Sequence, residues 1–201
     1  MDESLPATPM NDRWAAFAIA IESGEPDRVN DVINEVEAMD PGERVDLFDV
    51  CFEELTEIYG TAEDGYVRQS VARLGERLVP TIATVAAIEN PDRTIDADAA
   101  VVRDQTDALC GFFLTAITDD DGRVRQSAKR GLEHTARTYG IALEDEESVA
   151  ALADELERMA TEHSDSRREH VLEARANVEY FLEVPLGRVV EPFEARVEES
   201  R

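Results

Sequence analysis

Residues 64–71 read DGYVRQSV and residues 121–128 read DGRVRQSA. Six of the eight positions are identical across a separation of 57 residues. A chain that repeats such a pattern is constrained to build the same local unit twice. Each copy opens on an aspartate behind a short acidic turn, the pattern of a helix cap. An apolar stripe follows: Val67, Val71, Leu74 and Leu78 in the first copy, and Val124, Ala128, Leu132 and Tyr139 in the second, with Thr135 between. Those spacings of three and four residues put one apolar face on each helix. Asp64 and Asp121 also stand four residues before Arg68 and Arg125, the spacing of a modest ion pair along a helix. The same arginines are placed to reach the acidic turn of a neighbouring unit. Weaker copies start at Asp165 (DSRREHVLEA, aligning Arg168 with Arg68 and Val171 with Val71) and at Pro26 (PDRVNDVINEV).

Glycine, proline and cap signals divide the rest of the chain. Asn11 or Asp12 is the expected cap of a first helix ending near Ser23, and Asp27 starts a second running to about Met39. Asp40-Pro41, a cap followed by proline in the first turn, opens a third helix to Tyr59 with Gly60 as its C-terminal cap. A helix from Asp64 ends at Leu78 before Pro80, and Ile82 to Ile88 forms a short extension. Further helices are expected over 96–118, 121–139, 146–163 and from 165 to before Pro185. No segment alternates like a strand. The reading is an all-α protein of eight to nine helices. Eight main helices pair into about four hairpins in a single domain over 11–184, with a flexible tail at 1–10 and a capping segment at 185–201.

The stretches DGYVRQSVARLGERL and DDDGRVRQSAKRGLEHT resemble the HEAT and HEAT-like (PBS-lyase type) helical repeats, in which an acidic turn is followed by Val-Arg and then small and apolar residues. The resemblance covers about 120 residues. It departs from the family at Ala62, where an acidic residue is common, and in its 57-residue period, longer than the usual ~40–47. It implies a right-handed α-solenoid whose second helices line a concave groove, and it implies no particular activity.

Charge is the compositional outlier: 46 acidic against 20 basic residues, a net charge of −26, with Lys129 the single lysine. The acidic residues are dispersed over every segment, which fits a halophilic cytosol. At molar salt the Debye length is about 3 Å and self-repulsion is screened. The other reading is an acidic surface for a basic partner. No apolar stretch approaches the ~20 residues of a membrane span, so a cytoplasmic protein is expected.

Recognisable chemistry is sparse. His163 and His170 are seven apart, unlike a helical metal pair. No cofactor motif is present, and no acidic pair stands out as acid and base. Cys51 and Cys110 read as buried thiols, although either one with His134 is a formal nucleophile and base. The basic residues, in contrast, gather on the helices that begin at Asp64, Asp121 and Asp165. Arg123, Arg130 and Arg137 recur every seven residues, and Arg73 and Arg130 occupy the same position of the two copies. Arg73, Arg77, Arg123, Arg130 and Arg137 are therefore the candidate partner-binding residues. Neutralisation of acidic neighbours between repeats is the competing reading of the same residues.

The function expected from this pattern is a non-enzymatic scaffold or adaptor whose groove binds another protein through an acidic segment. Nucleic-acid binding in an arginine-lined groove is the alternative, since some HEAT-like proteins, alkylpurine DNA glycosylases among them, cradle DNA that way. Aromatic residues, at 6%, are few for it. An enzyme on this scaffold and an assembly chaperone are further possibilities that no motif supports.

Overall fold

A computed structural model describes residues 9–88 and 98–183. Among them are nine α-helices and no strand: α1 (Met10–Glu22), α2 (Pro26–Ala38), α3 (Pro41–Thr61), α4 (Gly65–Leu78), α5 (Ile82–Ile88), α6 (Ala99–Ala116), α7 (Gly122–Arg137), α8 (Glu146–Glu162) and α9 (Ser166–Glu183), with a π turn at Thr138–Ala142. The expected tail lies outside the described residues up to residue 8, and so does the capping segment 185–201.

The helices form because each buries one stripe. Val71, Leu74, Val124, Ala128 and Leu132 are fully shielded, and Val67, Leu78 and Tyr139 nearly so. Each large apolar side chain in that stripe contributes about 1.5–3 kcal/mol when buried. Consecutive long helices pair as α1–α2, α3–α4, α6–α7 and α8–α9. The second members then meet in order, α2 on α4, α4 on α7 and α7 on α9, while α1 meets α3 and α3 meets α6.

Several boundaries follow the sequence. Asp40 accepts a hydrogen bond from the Glu43 amide at 3.0 Å while Glu43 accepts one from the Asp40 amide at 3.1 Å, a reciprocal capping box. Asp64 and Asp121 cap α4 and α7 by accepting from the amides two residues on, each at 2.8 Å. Other boundaries differ. Neither Asn11, Asp12 nor Asp27 acts as a cap: α1 starts behind Pro9 and α2 starts on Pro26, where proline's missing N–H costs nothing. Gly60 lies inside α3, which continues to Thr61. The glycine that does turn left-handed is Gly24, at φ +63°, between α1 and α2. The helix from Asp121 loses α geometry at Thr138, where one inserted residue makes a π turn.

The third copy of the motif shifts by one. Asp165 caps α9 by accepting from the Arg167 amide at 2.9 Å, so it is equivalent to Asp64 and Asp121. That register puts Glu169, not Arg168, at the position of Arg68.

Candidate functional site

The repeated arginines lock one edge of the molecule. Arg68 donates from Nε and Nη2 to the two carboxylate oxygens of Asp119, at 2.8 and 3.0 Å. Its Nη1 donates to the carbonyls of Ala62 and Glu63, each at 3.0 Å. Arg125 repeats the second part: its Nη1 donates to the carbonyls of Asp119 and Asp120 at 2.7 and 2.9 Å, and its Nη2 to Ser166 Oγ at 3.1 Å. Each arginine thus closes the turn before its own helix and ties it to the next turn along. The ion pairs expected within each copy do not form. Arg68 is drawn to Asp119 instead of Asp64, and Asp121 pairs with Arg123 at 2.7 Å.

Asp119 is the hub, with a side chain only 7% exposed. Burial pushes its carboxyl upward, but hydrogen bonds from Arg68, the Asp121 amide and the Tyr59 hydroxyl (2.8 Å) outweigh this and hold it below the usual range. Hydrogen bonding from Arg123 lowers Asp121 to about 2. A Cβ at Gly65 would collide with the Asp121 carboxylate, which explains the glycine in the first copy of the motif.

The opposite ends of α4 and α7, about 20 Å along each helix axis, look different. Here a cavity of about 330 Å³ opens, lined by Glu37 of α2, Arg44 of α3, Glu76 and Arg77 of α4, and His134 and Arg137 of α7. Val79, Pro80, Ile82 and Ala83 supply an apolar wall. Arg77 and Arg137 sit in the last turns of their helices, where a cation complements the helix dipole. Arg44 sits in the first turn of α3, where the dipole opposes it. The Nε groups of Arg44 and Arg77 are both buried without a hydrogen-bond acceptor. Arg77 Nε comes within 3.5 Å of Glu37 but makes no hydrogen bond to it. A buried donor without an acceptor costs about 1–3 kcal/mol.

The five arginines expected from the sequence divide accordingly. Arg77 and Arg137 line the cavity. Arg130 stands beside it, with Nε donating at 3.1 Å to the buried Glu76, whose other oxygen lies 3.5 Å from Arg77. Arg73 does not line the cavity and donates to Asn30 of α2 at 3.0 Å. Arg123 is at the far end of α7, bound to its own cap and 5.9 Å from the Tyr66 ring, and does not reach the cavity. Arg130 thus pairs with an acidic residue of a neighbouring helix, and Arg77 lies within 3.5 Å of Glu37 and of Glu76. Arg44, Glu37 and Glu76 were not expected. A signal for Arg44 existed: it is the single cation of the otherwise acidic α3, and it stands in the turn least suited to one.

Chemistry elsewhere is subdued. Burial pushes the Cys51 thiol up to about 12 and the Cys110 thiol to about 11, away from the thiolate a nucleophile needs. His134 is lowered by burial, with Arg137 acting the same way and Glu76 opposing. Neither thiol is hydrogen-bonded to His134 among the described residues. His170 donates from Nδ1 to the Ser166 carbonyl at 2.8 Å, and with that proton in place Arg125 Nε at 3.5 Å is a neighbour and not a donor to it. The described residues hold no group of three or more His, Cys, Asp or Glu side chains arranged for a metal ion. No described helix is long and apolar enough to cross a membrane.

The chain matches no protein-family model, no curated protein and no solved structure. Its functional reading therefore rests on the geometry of these two edges.

Proposed function

We propose that this chain is a non-enzymatic interaction module: a short right-handed array of HEAT-like hairpins that binds an acidic segment of another protein along its second helices. The observation that carries this reading is the grouping of Arg77, Arg137 and Arg44 around one cavity, with Arg130 bound to its Glu76. The array is supported by the ordered contacts of α2, α4, α7 and α9 and by the turn-to-turn arginine clamps. Guanidinium groups suit such a partner because they bind carboxylates bidentately. The dispersed acidity is an adaptation to a salt-rich, halophilic cytosol, and it leaves the arginine cluster as a local contrast on a chain of net charge −26. Affinity at high salt then comes from close contacts and apolar burial, since long-range attraction is screened.

The test is a charge swap, Arg73→Glu with Arg130→Glu, compared with the parent chain in pulldowns from a lysate at high salt and in binding to single- and double-stranded DNA. Loss of a captured protein by a swapped chain that keeps the parent's melting temperature, with DNA unbound by either form, supports the module. Retention of every partner by the swapped chain contradicts it, and loss of DNA binding instead favours the nucleic-acid reading. The melting temperature of the parent chain rises with added KCl if its acidity is an adaptation to salt. A melting temperature unchanged between dilute and molar KCl removes that part of the proposal.

A further inference from the structure

We infer that the cavity between α3, α4 and α7 is a pocket for a single carboxylate carried next to an apolar side chain, the anchor of the acidic partner segment. This rests on the interaction-module reading and adds to it the chemistry of the group recognised.

The lining fixes the sign of the charge. Arg44, Arg77 and Arg137 contribute three positive charges and Glu37 and Glu76 two negative ones, with His134 neutral, so the lining carries three minus two, or one net positive charge. One carboxylate balances it. A phosphate dianion overshoots that balance and meets two glutamates, and a cation meets three guanidinium groups. The lining also shows where the anion sits. Of the three arginines, Arg77 has Glu37 and Glu76 nearby, and Arg137 has Glu133 at 3.3 Å. Arg44 has no ion pair among the described residues, and its Nε is buried without an acceptor.

The position of Arg44 strengthens the case. A cation in the first turn of a helix works against the dipole, and a buried donor without an acceptor works against folding. Among the described residues no ion pair to Arg44 offsets either cost, whereas an anion between Arg44 and Arg77 offsets both. The rest of the pocket describes what is attached to that anion. Val79, Pro80, Ile82 and Ala83 line the pocket with apolar surface, interrupted by Thr81, and Ile82 is 47% exposed, large for an apolar residue. A volume of about 330 Å³ is at the small end for ligand pockets. It accommodates one acidic side chain and an adjacent aliphatic or aromatic one, and not a folded domain.

The test uses the full chain labelled with 15N, with the arginine Nε–Hε resonances followed by NMR. The probe is 4-phenylbutyrate, and 4-phenylbutyramide is the same shape without charge. The expected result is saturable shifts at Arg44 and Arg77 with the carboxylate and none with the amide. Affinity falls about tenfold in Arg44→Gln, the loss of one charge-assisted contact. Arg137→Gln weakens binding in the same direction and guards against a folding defect in the first variant, with both checked by circular dichroism. Equal responses to carboxylate and amide, or no response at these arginines up to the solubility limit of the probe, overturn the inference. If the probe fails but the Arg73 and Arg130 swap still releases a captured protein, the module stands and this anchor is wrong. If the probe binds and the swap releases nothing, the pocket is real and its ligand is a free small molecule instead of a protein segment.

Discussion

Arg68 and Arg44 carry the same side chain on adjacent helices, and the fold treats them in opposite ways. Arg68 has a charged partner and two carbonyls, all within 3.0 Å, and its guanidinium closes one turn while holding the next. Arg44 stands in a helix turn that disfavours its charge and buries an unpaired Nε beside a cavity. The difference teaches how to sort a stripe of arginines. A charge that the fold has fully answered belongs to the scaffold, and a charge that it buries unanswered is available to something else.

The largest expected effect is on the scaffold side. Arg68→Ala strands the buried Asp119 carboxylate and should cost about 3 kcal/mol in urea unfolding, the scale for breaking one partner of a buried pair. Arg125→Ala loses carbonyl contacts but strands no carboxylate, and should cost about 2 kcal/mol in the same assay. A smaller cost for Arg68→Ala than for Arg125→Ala would break this ranking.

The two copies also differ at their second residue. Gly65→Ala drives a methyl into the Asp121 carboxylate, whereas Gly122→Ala makes only a tight approach to the Arg125 guanidinium, at 3.3 Å. Overpacking costs about 1–3 kcal/mol. Gly65→Ala should therefore lower the unfolding midpoint clearly and Gly122→Ala much less. Equal midpoints for the two variants would show that the tight approach between the turns is not required.

Acid acts on the clamped edge. Asp119 and Asp121 have folded-state values below the ordinary 3.8. Their contribution to stability is complete above that value and is lost as the pH falls through the lowered one, about 2 for Asp121. Asp119→Asn should flatten the dependence of stability on pH below the ordinary 3.8. A variant with the slope of the parent chain would remove Asp119 from the acid response.

The smallest effect belongs to the cavity. Arg44→Gln removes a buried unpaired donor and a charge that the helix dipole opposes, and should leave stability unchanged or raise it by up to about 1 kcal/mol. A large loss would mean that Arg44 has a structural task and would weaken the case for an anion beside it.

The sequence made the repeated unit readable because its determinants are local. An aspartate cap, a valine at the helix start and an apolar stripe act within one or two turns, so α4 begins and ends where periodicity puts it and α7 begins there, while the π turn at Thr138 ends α7 two residues early. The partner of Arg68 was legible only in outline. The i,i+4 rule offered Asp64, but the stacked turn brings Asp119 closer and with two oxygens, and tertiary geometry decides such contests. The shifted third copy has the same origin, since matching Val171 to Val71 by type overlooked the cap that sets the register. The cavity was the least visible feature. It joins residues from α2, α3, α4 and α7, and Arg44 lies on a first helix where the sequence reads as uniformly acidic. Arg77 and Arg137 were found because they fall in the basic stripe, but nothing local distinguishes them from Arg123.

A pair of double-mutant cycles measures the contrast directly. One removes Arg68 and Asp119 singly and together, the other Arg77 and Glu37, all in the same buffer. The predicted coupling is at least about 2 kcal/mol across Arg68 and Asp119 and under about 0.5 kcal/mol across Arg77 and Glu37. Equal couplings, or a stronger one at the cavity, would contradict the division between an arginine spent on the fold and an arginine left for a partner.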